Sequence, residues 1–230
     1  MKVMRMHGVN RLATLGLLVG ATAGFATTGV AQSVSGQAYG AYVNTPLGAV
    51  SQSPLAVLPF ISISGVDGDV ATAQADALNV GGALSSTFLN SITSGAIGTA
   101  AAGAQSTATV ANVNILGGLI TATELIATVA SSRTAGGAGS NANGTTFANL
   151  TVAGTPVTTG DARVAPNTQM SLPGVGYVVL NEQIPTGDGV TGSGITVNMI
   201  HVYLQSQVLG GTPTTTGEII VGSAKSAVGP

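Results

Sequence analysis

His201 is the one imidazole beyond residue 31 of the 230-residue chain, and hydrogen-bonding side chains surround it in sequence. Asn198 precedes it by three positions, and Asn181, Glu182 and Gln183 stand together upstream. An imidazole, an acid and a hydroxyl can form a relay in which histidine takes the hydroxyl proton and the acid orients the ring. Glu182 is the acid nearest to that role. No GxSxG elbow presents a serine, however, and His201 falls in the middle of a stretch with strand periodicity. The expectation is therefore structural: Asn181, Glu182, Gln183, Asn198 and His201 form a polar cluster whose members satisfy one another. An unpartnered Glu182 carboxylate would be costly to bury, so it must be bonded, neutral or at a strand end. No catalytic, cofactor-binding or metal-ligating residue is assigned.

Other motifs carry less. Gly187-Asp-Gly-Val-Thr-Gly192 fits GxGxxG, but at this glycine content such a match is expected about once by chance. A strand pattern follows it, which removes the helix terminus that would hold a phosphate, so it reads as a turn. Asp67, Asp69, Asp161 and Asp188 sit in glycine-rich stretches that read as turns, and Gly136–Asn141 is a single imperfect GGxGxD copy. Calcium needs six to eight converging oxygens, so these give it an opening and no defined site. The expectation is no cofactor. With no cysteine and one histidine beyond residue 31, no zinc site is expected. Thr107 and Thr109, Thr121 and Thr123, and Thr214–Thr216 offer hydroxyls and methyls to a polysaccharide if they share a flat face.

Almost every readable segment that would position these residues has a period of two. Ala71, Ala73, Ala75 and Ala77 alternate with Thr72, Gln74 and Asp76, which suits a strand with one wet face. Further strands are expected at 37–43, 55–63, 107–116, 119–130, 146–152, 176–184, 195–205 and 218–224, with Gly117-Gly118 as a two-residue hairpin. Residues 84–92 read as a short helix, 94–103 show no pattern, and 131–145 read as the main loop. In the 195–204 strand, simple alternation places Val197, Met199, His201 and Tyr203 on one face. Asn198, Ile200, Val202 and Leu204 fall on the other. Both sets are largely apolar, so this strand should be central and covered on both sides.

These elements make an all-β fold: a single β-sandwich-like domain over residues 32–230, following an N-terminal signal helix. A parallel β-helix or solenoid is the alternative, since small residues and low charge suit one too. The signal peptide spans residues 1–31. Lys2, Arg5 and Arg11 form a basic start, Leu12 to Phe25 is uncharged, and Gly29 and Ala31 flank Val30 before cleavage after Ala31. Cleavage leaves Arg133, Arg163 and Lys225 against eight acids, a balance of −5 in place of −2. Three cations cannot build a nucleic-acid-binding face. No apolar run of membrane-spanning length follows, so no span is expected after cleavage. Only 6% of the residues are charged and 44% are hydrophobic, which excludes a disordered chain.

Three C-terminal segments carry a resemblance: Gly176-Tyr-Val-Val-Leu-Asn-Glu-Gln183, Val197-Asn-Met-Ile-His-Val202 and Gly217-Glu-Ile-Ile-Val-Gly-Ser-Ala224. With Ala38-Tyr39-Gly40 and Asn114–Ala122 upstream of them, they span most of the chain beyond residue 31 in the family's order and resemble the choice-of-anchor P family. The resemblance implies an exported bacterial surface protein of a family with varied C-terminal sorting signals, and it implies no enzymatic role. The chain ends at Val228-Gly229-Pro230 without an LPxTG-like motif, apolar tail or basic cluster, a departure from the anchored pattern. The expected function is that of an exported, non-enzymatic cell-surface or matrix protein. Its partners would be other surface or matrix components, including copies of itself. A calcium- or polysaccharide-binding module is the alternative, and a secreted hydrolase centred on His201 the second.

Overall fold

The computed structural model describes residues 32–61, 66–206 and 212–230; the expected signal peptide at 1–31 lies outside the described residues. Every regular element among the described residues is a strand. One sheet takes both ends of the domain: β1 (Ser33–Thr45), β2 (Gly48–Ile61), β14 (Thr168–Leu172), β15 (Gly176–Gly187), β16 (Ser193–Ser206) and β17 (Thr214–Gly229). Its order is β14-β15-β16-β17-β1-β2. The second sheet is built from β3 (Val66–Ala75), β4 (Leu78–Val80), β5 (Leu84–Ser86), β6 (Phe88–Ile97), β7 (Ala101–Ile115) and β8 (Ile120–Thr134). It is completed by β9 (Gly137–Asn141), β10 (Thr146–Ala148), β11 (Thr151–Val152), β12 (Thr155–Pro156) and β13 (Asp161–Ala162). β7 and β8 form its spine: β5 and β6 both pair with β7, and β9, β10 and β11 all pair with β8.

The two sheets stack into an open sandwich. All their ladders are antiparallel, which excludes the parallel β-helix alternative. Alternation does most of the sorting. In β3, half-buried Ala71, Ala73 and Ala75 alternate with exposed Thr72 and Gln74, as the period of two requires. In β7, Ala102, Ala104, Ser106, Ala108 and Val110 all point inward.

The structure corrects several expectations. The stretch 84–92 is not a helix but β5 and the start of β6, and 94–103 belongs to β6, a tight turn and β7. The expected loop at 131–145 is largely the end of β8 and all of β9. Asp67 and Asp69 lie within β3, not in a turn. Gly117 and Gly118 do mark a hairpin, but the connection is four residues long, Leu116 to Leu119.

One feature explains the misread helix. Each sheet is crossed by a seam at which the inward and outward faces exchange. In β17, Ile219 and Val221 point inward before Gly222, and Ala224, Ser226 and Val228 do so after it. Gly222 has φ +68°, and Asn181 in β15 has φ 49°. A left-handed residue interrupts the extended two-residue repeat, so the side-chain parity shifts by one. Asn tolerates that conformation, and Gly adopts it without a Cβ penalty. Met199 in β16 and Gly40 in β1 complete the row, between the paired residues Glu182↔Asn198 and Leu180↔Ile200, and between Tyr39↔Ser223 and Ala41↔Val221. A Cβ on Gly40 would come within 2.6 Å of Leu89 Cδ2, a close approach between the sheets.

The second sheet repeats the device at Asn112 (φ 50°) and Asn149 (φ 51°). Across the lapse, the Asn112 amide donates to the Thr87 hydroxyl at 2.8 Å and the Asn149 amide to that of Thr123 at 3.1 Å. Thr87 is the break between β5 and β6, which explains why 84–92 lacks continuous alternation.

Candidate functional site

β16 is a central strand, and its run from Val197 to Val202 is buried, as expected. The expected face assignment fails at the seam. Asn198 does not oppose His201; parity shifts at Met199, so Asn198, His201 and Tyr203 share the face away from the second sheet. Register then brings their neighbours in. Glu182 pairs with Asn198, Asn198 with Ser223, and Ser223 with Tyr39 in one row across four strands. Five residues further along β16, on the other side of the seam, Tyr177 pairs with Tyr203 and Tyr203 with Glu218.

Bonds converge on two carboxylates. His201 Nδ1 lies 2.8 Å from Glu182 Oε2, and its Nε2 lies 3.1 Å from Glu218 Oε2. Glu182 Oε2 also accepts from Asn198 Nδ2 at 2.7 Å, and Oε1 accepts from the Tyr203 hydroxyl at 3.1 Å. The Ser223 hydroxyl donates to Asn198 Oδ1 at 2.7 Å. The rings form a column: Tyr177 on Tyr203 with centroids 4.7 Å apart, and Tyr203 on His201 at 4.0 Å. Tyr203 is thus the middle ring, stacked on both faces.

The electrostatics follow from this geometry. Burial opposes charge on His201, but bonds to Glu182 and Glu218, with their negative charges, outweigh it and hold the imidazole above its ordinary pKa. Burial alone would raise Glu182, yet hydrogen bonds from His201 and Asn198, the His201 charge and the Tyr203 hydroxyl together bring it below the ordinary carboxylate value. Burial and the Glu182 charge push the Tyr203 phenol up, so it stays a donor. The centre is a carboxylate–imidazole–carboxylate triad in which a carboxylate oxygen faces each ring nitrogen, so that both donate when the ring is protonated. Neither ring nitrogen faces a hydroxyl, and the nearby Ser223 hydroxyl is aimed at Asn198.

The five expected cluster residues are thus divided. Glu182, Asn198 and His201 meet on the outer face. Asn181 and Gln183 turn to the other side, where Asn181 Nδ2 donates to the Val164 carbonyl at 2.7 Å and Gln183 Nε2 donates to Asn181 Oδ1 at 3.1 Å. There they line a cleft of about 540 Å³ between the sheets, together with Arg163, Asn141 and Asn143. Sequence reading did not place Glu218, Tyr177, Tyr203 or Ser223 in the cluster. Their signal was the strand register, which sets Tyr203 opposite both Tyr177 and Glu218.

The remaining motifs stay apart. Gly187–Gly192 is a turn between β15 and β16, as expected. Asp188 caps it by accepting from the Thr191 hydroxyl and from the backbone N–H groups of Val190, Thr191 and Gly192, which depress its pKa. Among the described residues, no group of three or more His, Asp or Glu side chains is placed to hold a metal ion. Thr107 and Thr109 lie on one side of the second sheet's seam and Thr121 on the other, facing Asn114, while Thr214–Thr216 belong to the first sheet. The threonines therefore do not form one array. No family model, curated protein or solved structure matches the chain.

Proposed function

We propose that the chain is an exported, non-enzymatic protein of the bacterial cell surface or extracellular matrix, acting as a rigid structural or interaction module. The observation that carries this reading is the closed bonding of the triad: His201 is held by carboxylates at both nitrogens, an arrangement for fixing a sheet and not for moving protons. Strands of 13 to 16 residues in both sheets support broad, stiff faces bearing small polar side chains. Export is supported by the basic start and the uncharged run of residues 1–31. The resemblance to the choice-of-anchor P family points the same way. Partners are surface or matrix components, further copies of the chain included. The test is to fractionate the native cells into medium, wall, membrane and cytoplasm and to sequence the N-terminus of the protein recovered. A chain beginning at Gln32 in the medium or wall is expected; an uncleaved chain confined to the cytoplasm overturns the reading.

A further inference from the structure

The cleft that receives Asn181 and Gln183 is a built feature of the fold. β14 begins at Thr168 and pairs with β15 only as far as Leu180, so beyond Asn181 that side of β15 has no strand beside it. Opposite, β9 ends at Asn141 and β10 starts at Thr146. The space between these two interruptions is floored by buried Thr145, Val164, Asn181 and Ile195. The Asn181 amide ties the 163–166 segment to β15, which fixes Arg163 at the mouth, where its guanidinium donates to the Asn143 carbonyl.

The chemistry lining this cleft is one-sided. Arg163 is one of three cations beyond residue 31, and no lining residue is acidic, although acids outnumber cations in that part of the chain by eight to three. The other polar lining groups are the amides of Asn141, Asn143, Asn181 and Gln183 and the hydroxyls of Ser140 and Thr145. Amides both donate and accept, which matches sugar hydroxyls; a guanidinium matches a carboxylate with two parallel N–H groups. The volume lies within the range of small-molecule clefts. We propose that this cleft binds an acidic sugar, a hydroxyl-rich ring carrying a single carboxylate that Arg163 receives. Asn141, Asn143 and Gln183 then hold the ring hydroxyls. This site is independent of where the protein resides.

The test is an NMR-detected titration of the purified protein with a disaccharide bearing one carboxylate, glucuronyl-β1,4-glucose, and with its neutral counterpart cellobiose. Saturable shifts confined to Arg163, Asn141, Asn143 and Gln183 are expected with the acid, and binding about tenfold weaker with cellobiose. Arg163→Gln, at an exposed position, should weaken the acid about tenfold and leave cellobiose unchanged. Gln183→Glu, which sets a like charge in the cleft, should weaken the acid selectively as well. Absence of shifts in the cleft, equal binding of both sugars, or full affinity in folded Arg163→Gln protein overturns the proposal.

Discussion

Toward the hairpin between β7 and β8, the space between the sheets is filled by volume: Phe147, Ile115, Ile120, Leu150, Leu172, Leu180 and Ile200 are all buried in one cluster. Across the seam the filling changes. Ser106 donates to the Lys225 carbonyl at 2.6 Å, the hydroxyls of Ser131 and Ser226 bond at 2.7 Å, and those of Ser140 and Ser193 at 2.8 Å, all between opposite sheets. Glycine makes this possible. A Cβ on Gly36 would fall 1.9 Å from Thr93 Oγ1, so the backbones approach only because none is there. The same antiparallel frame is thus held by large apolar side chains at one end, and at the other by short hydroxyl bonds beside a smaller apolar cluster of Val34, Leu58, Ile97, Ala102, Ala104 and Val228. The low charge and small side chains of the sequence serve the second half as much as the first.

The largest effect should come from emptying the apolar half. Phe147→Ala is expected to cost about 3–5 kcal/mol in chemical denaturation, through lost transfer energy and the cavity left behind. Next is Gly36→Ala in the hydroxyl half, at about 1–3 kcal/mol, because the added methyl forces the sheets apart. In a Thr93→Ala background the cost of Gly36→Ala should shrink, since the group it strikes is gone; additive costs would mean that the close approach is not what Gly36 serves. Ser131→Ala is expected to cost about 1–2 kcal/mol, because Ser226 and Ser140 both lose a partner. The smallest effect belongs to the outer face. The raised His201 value adds stability that is complete below the ordinary imidazole value of 6.5 and fades as pH rises through the folded value. The lowered Glu182 value adds stability that is complete above its ordinary 4.5 and fades as pH falls through the folded value. Melting of the protein against His201→Gln should therefore differ most between about pH 4.5 and 6.5, and a difference independent of pH would contradict the triad.

What could be read from the sequence divides along the same line. In the apolar half, β-branched alternation marks β7, β8, β15, β16 and β17 plainly, because large buried side chains contrast with polar ones. In the hydroxyl half that contrast disappears. Ser, Thr, Gly and Ala look alike whether they face the other sheet or water, so 94–103 and 131–145 read as patternless or loop although they hold parts of β6, β7, β8 and all of β9. The seams account for the rest. A single left-handed Asn or Gly resets the parity of a strand and leaves no mark in local hydrophobicity, so residues on either side are assigned to the wrong faces. Glu182 and His201 were recognisable as partners by chemistry; Asn198 joins them only because parity shifts at Met199, and Asn181 and Gln183 leave for the cleft for the matching reason in β15.

That shift is the central claim, and one proton-resolved measurement addresses it. Asn198 Nδ2 and His201 Nδ1 both lie within 2.8 Å of Glu182 Oε2, so their protons should show a nuclear Overhauser cross-peak in the assigned spectrum. Uninterrupted alternation would put the two side chains on opposite faces of the sheet. A cross-peak between the Asn198 amide and the His201 ring is the result predicted here; its absence, with the Asn198 amide instead contacting core side chains such as Leu125, would contradict the seam.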